Sequence, residues 1–280
     1  MAVIEELPAA RGGAKALLLT VLGEFVLPSG SEAWTSTLVA AADALGIGEK
    51  NARQAIARIA DDGLIESGRH GRLVRWSLTP AGRELLDAGT KRIYQFGTGE
   101  VAWEGEWLLA HCPIAESQRA LRQRLRTRLA FDGFGELSPS LAISPHVSRE
   151  PDLRATLSDL GVLADSVVLR SRTGSTTADA DLVERAWQLN DLADEYVAFS
   201  RSHDDRDPDD EHAAFRAVVE LVHDWRRFPS VDPELPTELL PDRWAGASAA
   251  TVFHERHASW SPAAREWFAA QESQQEVAAS

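Results

Sequence analysis

The sequence predicts an α+β chain of several domains: an N-terminal winged helix-turn-helix, a ferredoxin-like middle domain and a helical C-terminal domain. Three observations predict it. Stretches of helical apolar period are followed by two alternating stretches around a basic turn; strand and helix patterns then alternate; helical patterns alone fill the remainder. The expected limits are 11–98, 99–174 and 175–270. A chain of 280 residues is long enough for each part to bury a core of its own.

In the head, AKALLLTVLGEFVLPSG places Leu18, Val21, Leu22 and Phe25 at helical spacing until Pro28 and Gly30 stop the run. After a polar turn, Thr35 or Ser36 is placed to cap a second helix. Leu38, Val39, Ala42 and Leu45 share one face of it, and Gly46 ends it. The third helix, EKNARQAIARIADDG, buries Ala52, Ile56 and Ile59 and turns Lys50, Asn51, Arg53, Gln54, Ala57 and Arg58 the other way. Gly63 closes it. LIES and LVRWSLT then read as two strands joined by the basic turn RHGR, where Gly71 permits the reversal. A fourth helix is expected from Pro80 into KRIYQF.

The middle part reads as strand (VAWEGEWLLAHCPI), helix (ESQRALRQRLRTRLAF), turn and strand (DGFGELSPSLAISPH), helix (PDLRATLSDLG) and strand (ADSVVLRSRTG). In the last part, DADLVERAWQLNDLADEYVAF is expected as one helix and PDDEHAAFRAVVELVHDWRRF as another, with Pro208 in its first turn. A Pro-rich link and two shorter helices follow, the last capped by Ser261 with Pro262 in its first turn. The tail ESQQEVAAS is expected to fray.

The net charge of −14 argues at first against nucleic acid, since phosphate contacts need cations. The distribution reverses the argument. Residues 11–99 hold 11 bases and 9 acids, whereas residues 175–280 hold 9 bases and 22 acids. A DNA-binding head can therefore sit on an acidic body that repels DNA elsewhere. One cysteine, Cys112, excludes an internal disulfide framework and suits a reducing cytoplasm as a packed, inert thiol. The first residues lack an apolar leader core and no apolar run approaches a bilayer span, so neither export nor a membrane is expected.

The third helix carries the strongest local signal. A helix laid in the major groove must present long donors: Arg pairs with guanine, Asn or Gln with adenine, and Lys neutralises phosphate. Lys50, Asn51, Arg53, Gln54 and Arg58 supply these types, and Arg69, His70 and Arg72 supply phosphate or minor-groove contacts from the hairpin. Asp61 and Asp62 lie at the far end of the helix. Arg119, Arg122, Arg124, Arg126 and Arg128 spread around a helix whose inner stripe is Leu121, Leu125 and Leu129. Such a set serves a solvated face or an acidic interface, or else a second nucleic-acid or effector-phosphate contact. His223, Trp225, Arg226 and Arg227 either hold an anionic, aromatic ligand or pack a tryptophan into a core. His254 and His257 have a spacing at which two imidazoles can share a metal, but no further ligands support them, so no metal is expected. No nucleophile elbow, phosphate loop, dinucleotide fingerprint or zinc-protease motif is present, so neither a catalytic residue nor a cofactor is expected.

Six segments in order resemble one family over residues 15–268: TVLGEFVLPSGSEAW (20–34), NARQAIARIADDGLI (51–65), KRIYQF (91–96), WEGEW (103–107), RLAFDGFGELSPSLAISPH (128–146) and HDWRRFPSVDPELPTELLP (223–241). The chain is similar to the PaaX family of phenylacetic-acid degradation repressors. The resemblance implies a homodimer that represses an aromatic-acid catabolic operon by binding double-stranded operator DNA. It also implies release by an aryl-CoA thioester such as phenylacetyl-CoA. The segment LVRWSLT departs from the tyrosine and serine expected in the family's second wing strand. The main rival is a metal-dependent nuclease of the ferredoxin-like type, which holds a metal with an aspartate at the end of its first strand. Here that strand end reads LLAHCPI. An activator or dual regulator answering another acidic effector is the second alternative.

Overall fold

The computed structural model describes residues 13–99 and 102–279, the side chains of 276–279 excepted. It forms two compact units. One comprises the chain up to Phe96, Phe199–Arg227 and the chain from Ala249; the other comprises Gly97–Ala198 and Phe228–Ser248. The helical segment 175–270 contributes to both units.

In the first unit, α1 (Ala14–Val21) buries Leu18 and Val21 and runs on as a π-helical turn over Leu22–Val26 that buries Leu22 and Phe25. The segment expected as a polar turn contains a three-residue strand, β1 (Glu32–Trp34). Helix α2 (Thr35–Ala44) follows at once, with Trp34 at its N-cap and no side-chain cap. Thr35 is drawn away from capping: its hydroxyl donates to the Val74 carbonyl at 3.0 Å and accepts from the Trp76 indole at 2.9 Å. Helix α3 (Glu49–Asp61) buries Ala52, Ala55, Ile56 and Ile59, and Gly63 leaves it at φ +72°.

Strands β2 (Ile65–His70) and β3 (Leu73–Leu78) pair in register His70 to Leu73, so Arg69 and His70 belong to the strand. The turn is only Gly71 and Arg72. β3 lies between β1 and β2 in an antiparallel sheet. Helix α4 (Pro80–Gln95) starts with proline in its first turn and is capped by Thr79, whose hydroxyl accepts from the Gly82 N–H at 3.0 Å.

The second unit contains β4 (Trp107–His111), α5 (Arg119–Phe131), β5 (Gly135–Ser138), β6 (Leu141–Ser144), α6 (Glu150–Asp159) and β7 (Val167–Ser171). The stretch expected as one strand before α6 is thus a hairpin of two. Val101, the first residue of the expected leading strand, lies outside the described residues. The sheet is antiparallel with order β5-β6-β4-β7. Leu108 and Ala110 of β4 pack with Leu125, Leu129, Leu153 and Leu157 on one face, and Trp107 and Ile143 pack with Val183 and Leu239 on the other.

The helix expected from Asp179 to Phe199 is two, α7 (Asp179–Ala186) and α8 (Leu189–His203), because Trp187 takes an extended conformation. Gly135 of β5 touches this break: a Cβ there would come within 2.6 Å of the Trp187 ring and 2.8 Å of the Ala186 carbonyl. Helix α9 (Glu211–Trp225) starts after Pro208, with Asp210 accepting from the Ala213 N–H at 2.6 Å. The short α10 (Phe228–Val231) precedes the Pro-rich link. In place of two terminal helices there is one, α11 (Ala245–Ala279), which runs through Pro262 and through the tail expected to fray. Ser261 is buried inside it, with its hydroxyl 3.2 Å from His257 Nε2. Ser280 lies outside the described residues.

The interior of the first unit is aromatic. Phe25 lies 5.0 Å from Phe215 and 5.3 Å from Phe268, and Trp225 stacks on Phe253 at 4.8 Å. A polar network crosses it: the Tyr94 hydroxyl donates to Glu24 at 2.7 Å, and His257 Nε2 lies 3.0 Å from the other oxygen of Glu24. Burial and the Glu24 charge both push the Tyr94 phenol upward, so it stays a donor.

Candidate nucleic-acid interface

Helix α3 divides cleanly by its period. Ala52, Ala55, Ile56 and Ile59 face the core, and Lys50, Asn51, Arg53, Gln54, Ala57 and Arg58 are all exposed on the opposite side. The helix leaves an extended Gly48, so Lys50 and Asn51 sit in its first turn, at the positive end of the helix dipole. The arrangement favours phosphate at that end.

Among the described residues, Arg53 alone of this group has an ion pair. Its guanidinium meets Glu49 at 2.8 Å, with both side chains more than half exposed. At the other end Asp62 pairs with Lys15, which keeps one acid occupied away from the donor face.

The hairpin adds a second basic surface. Arg69, His70 and Arg72 are exposed around Gly71, whose φ of +62° permits the two-residue reversal. The His70 ring also stands edge-on to Trp34, 5.5 Å between centroids, which limits its freedom. Arg75, the remaining cation of the hairpin, is withheld: it lies over the Trp34 ring at 5.1 Å and pairs with Glu32 at 3.3 Å and Glu272 at 3.9 Å. Glu272 also accepts from the Trp34 N–H at 3.0 Å, closing the outer edge of β1.

The four residues weighed as ligand contacts differ in burial. Trp225 is fully buried, its indole donating to the Ile93 carbonyl at 3.2 Å, so it is part of the aromatic core. His223 is half-buried with Nδ1 3.4 Å from the Thr20 hydroxyl. Burial, and then the neighbouring Arg226 charge, lower its pKa to about 4 against the pull of Asp224. Arg226 and Arg227 are half-buried, and burial lowers the Arg226 pKa. His254 and His257 gain no third ligand: no group of three candidate metal ligands occurs among the described residues. Cys112 is buried beyond β4, its thiol pushed up by burial. No helix among the described residues is long and apolar enough to cross a membrane.

Five arginines spread around α5. Three of them, Arg119, Arg122 and Arg126, stand at i, i+3 and i+7 and line one cavity of the second unit. That spacing was the signal available to find them.

The protein is therefore an α+β chain of two units, with a solvent-facing donor helix and a basic hairpin in the first. Three family models match it in succession: PaaX-like protein over residues 13–82, PaaX protein central Cas2-like domain over 100–183, and PaaX-like protein C-terminal domain over 187–270. The chain belongs to the PaaX family. It is 30% identical over 248 residues to the transcriptional repressor PaaX of Escherichia coli (strain K12), covering 83% of this chain and 76% of that one. An uncharacterized protein from Mycobacterium tuberculosis has a similar fold, with a TM-score of 0.64 at 22% identity over 91% of this chain and 98% of that one.

Proposed function

We propose that this chain is a DNA-binding transcriptional repressor of a phenylacetate-type catabolic operon. The 30% identity to a protein named transcriptional repressor PaaX carries the reading, and the exposed donor face of α3 supplies its chemistry. Residues 11–98 act as a winged helix-turn-helix, with α3 as recognition helix and β2–β3 as wing. Lys50, Asn51, Arg53, Gln54 and Arg58 meet bases and phosphates in the major groove, and Arg69, His70 and Arg72 meet phosphate or the minor groove. Residues 99–174 act as a ferredoxin-like domain, in keeping with the order β-α-β-β-α-β. Residues 175–270 serve effector and dimer contacts. One head reads too few base pairs to find an operator, so the working form is a cytoplasmic homodimer without a membrane partner.

Release follows from linkage. A ligand frees DNA only if it binds the DNA-incompetent state more tightly, by a coupling of about 1–3 kcal/mol. An aryl-CoA thioester, phenylacetyl-CoA first among them, fits this role, and His223, Arg226 and Arg227, anchored by the buried Trp225, serve as the coupling element. The test is a mobility shift on the protein's own upstream duplex with phenylacetyl-CoA, free phenylacetate or no addition, alongside light scattering. The expected results are a solution mass twice the 30.6 kDa chain and release by the thioester alone. Failure to shift upstream DNA would refute repression, and release by the free acid would refute the thioester.

A further inference from the structure

Two cavities in the second unit carry opposite charge. One, of about 640 Å³, has Asp179, Glu184, Asp191 and Glu238 on its wall and, among the described residues, no lysine or arginine. The other, of about 550 Å³, has Arg119, Arg122 and Arg126, with Glu136 as the one carboxylate among the described residues of its wall. Both volumes suit a small molecule. Charge selects the second for an anion.

Its wall joins apolar surface to guanidinium groups. Cys112, Leu125, Leu129 and Phe134 are each 4–5% exposed and belong to one packed cluster, which gives the cavity an apolar floor. The spacing of the three arginines along α5 brings them to one face. They are differently engaged. Arg126 is held by Glu136 at 2.8 Å. Arg122 donates from Nη2 to the Glu116 carbonyl at 3.3 Å, but its buried Nε has no acceptor. Arg119 has no ion pair among the described residues. A buried guanidinium N–H without an acceptor is costly until a ligand oxygen reaches it, and the guanidinium fork meets phosphate oxygens, like those of a carboxylate, with paired hydrogen bonds.

The geometry points to this cavity as the effector site, with the acyl group of an acyl-CoA thioester on the floor of Leu125, Leu129 and Phe134 and its phosphates on Arg119 and Arg122. The inference rests on the thioester reading above and moves ligand contact away from His223–Arg227.

Calorimetry of the full chain with phenylacetyl-CoA tests it. The double substitution Arg119→Ala, Arg122→Ala should weaken binding on the order of tenfold or more. Arg124→Ala, exposed on α5 but off the cavity wall, should leave it unchanged. Equal melting temperatures without ligand show that the variants fold, and a ligand-induced rise confined to the unaltered chain and Arg124→Ala would support the site. Unchanged affinity in the double variant would overturn the site and leave the thioester reading standing. If Arg226→Ala alone abolished binding, contact would return to α9 and the site would fall. Should the unaltered chain bind no phenylacetyl-CoA, the thioester reading itself fails and this inference with it, while operator binding is measured separately.

Discussion

Arg53 offers the sharpest test of the DNA-binding surface, because its two roles predict opposite magnitudes. In the free protein it pairs with Glu49 one turn earlier, at 2.8 Å, with side chains 56% and 64% exposed. A pair so exposed contributes about 0.3–0.5 kcal/mol. Arg53→Ala should therefore shift folding stability by no more than about 0.5 kcal/mol. A side chain paired to a base edge discriminates by about 1–3 kcal/mol, so operator affinity should fall roughly fivefold to more than a hundredfold. Since the guanidinium must leave Glu49 to reach a base, Glu49→Ala removes both a competitor and a repelling charge. It should tighten binding to any duplex about twofold. Anisotropy titrations of operator and random duplex at one salt concentration separate the terms. Equal losses on both duplexes after Arg53→Ala would make the contact a phosphate contact. No loss on either would take α3 out of the groove and refute the reasoning.

Three further outcomes follow from the first unit. Tyr94→Phe strips the buried Glu24 carboxylate of a donor at 2.7 Å and should cost about 1.5–3 kcal/mol in urea unfolding; a loss under about 0.5 kcal/mol would show the carboxylate to be well solvated. Gly82→Ala should destabilise by about 2 kcal/mol or more in thermal melts, because its Cβ would stand 1.9 Å from the Leu64 carbonyl oxygen, a backbone atom; a variant melting like the parent would contradict the close approach. His223 is held neutral, its pKa lowered from 6.5 to about 4, so the unfolded chain takes up its proton first as pH falls. The stability it contributes is complete above about pH 6.5 and is lost as pH falls toward about 4. Denaturation midpoints of His223→Gln should lose part of that slope, and an unaltered slope would assign the acid sensitivity elsewhere, His146 and His254 being lowered by burial too.

The donor face of α3 is legible in sequence because a 3.6-residue period needs no partner to be read: once Ala52, Ile56 and Ile59 are inside, Arg53, Gln54 and Arg58 must be outside. The hairpin is legible for a similar local reason, the turn at Gly71. The break at Trp187 is not, since Asp179–Phe199 carries a continuous helical pattern and the chain is interrupted where Gly135 lets Trp187 approach β5. Nor is the role of Trp225. A tryptophan beside two arginines reads equally as ligand contact or core, and the choice is made by Phe96, Phe199 and Phe253, each from a different part of the chain.

By itself, the sequence determined what depends on neighbours along the chain: the helix limits at Gly46 and Gly63, the amphipathic division of α3, the basic hairpin and the concentration of acid in the last third. Tertiary structure decided what depends on residues far apart. It made a strand of Glu32–Trp34 by offering β3 as a partner some forty residues later. It carried α11 through Pro262 and placed Ser261 beside His257. It also turned three of five arginines into the wall of a cavity, because a helix face becomes a site only when another surface stands opposite it. Here that surface is β5, β6 and the turn between them, and no period within α5 encodes its position.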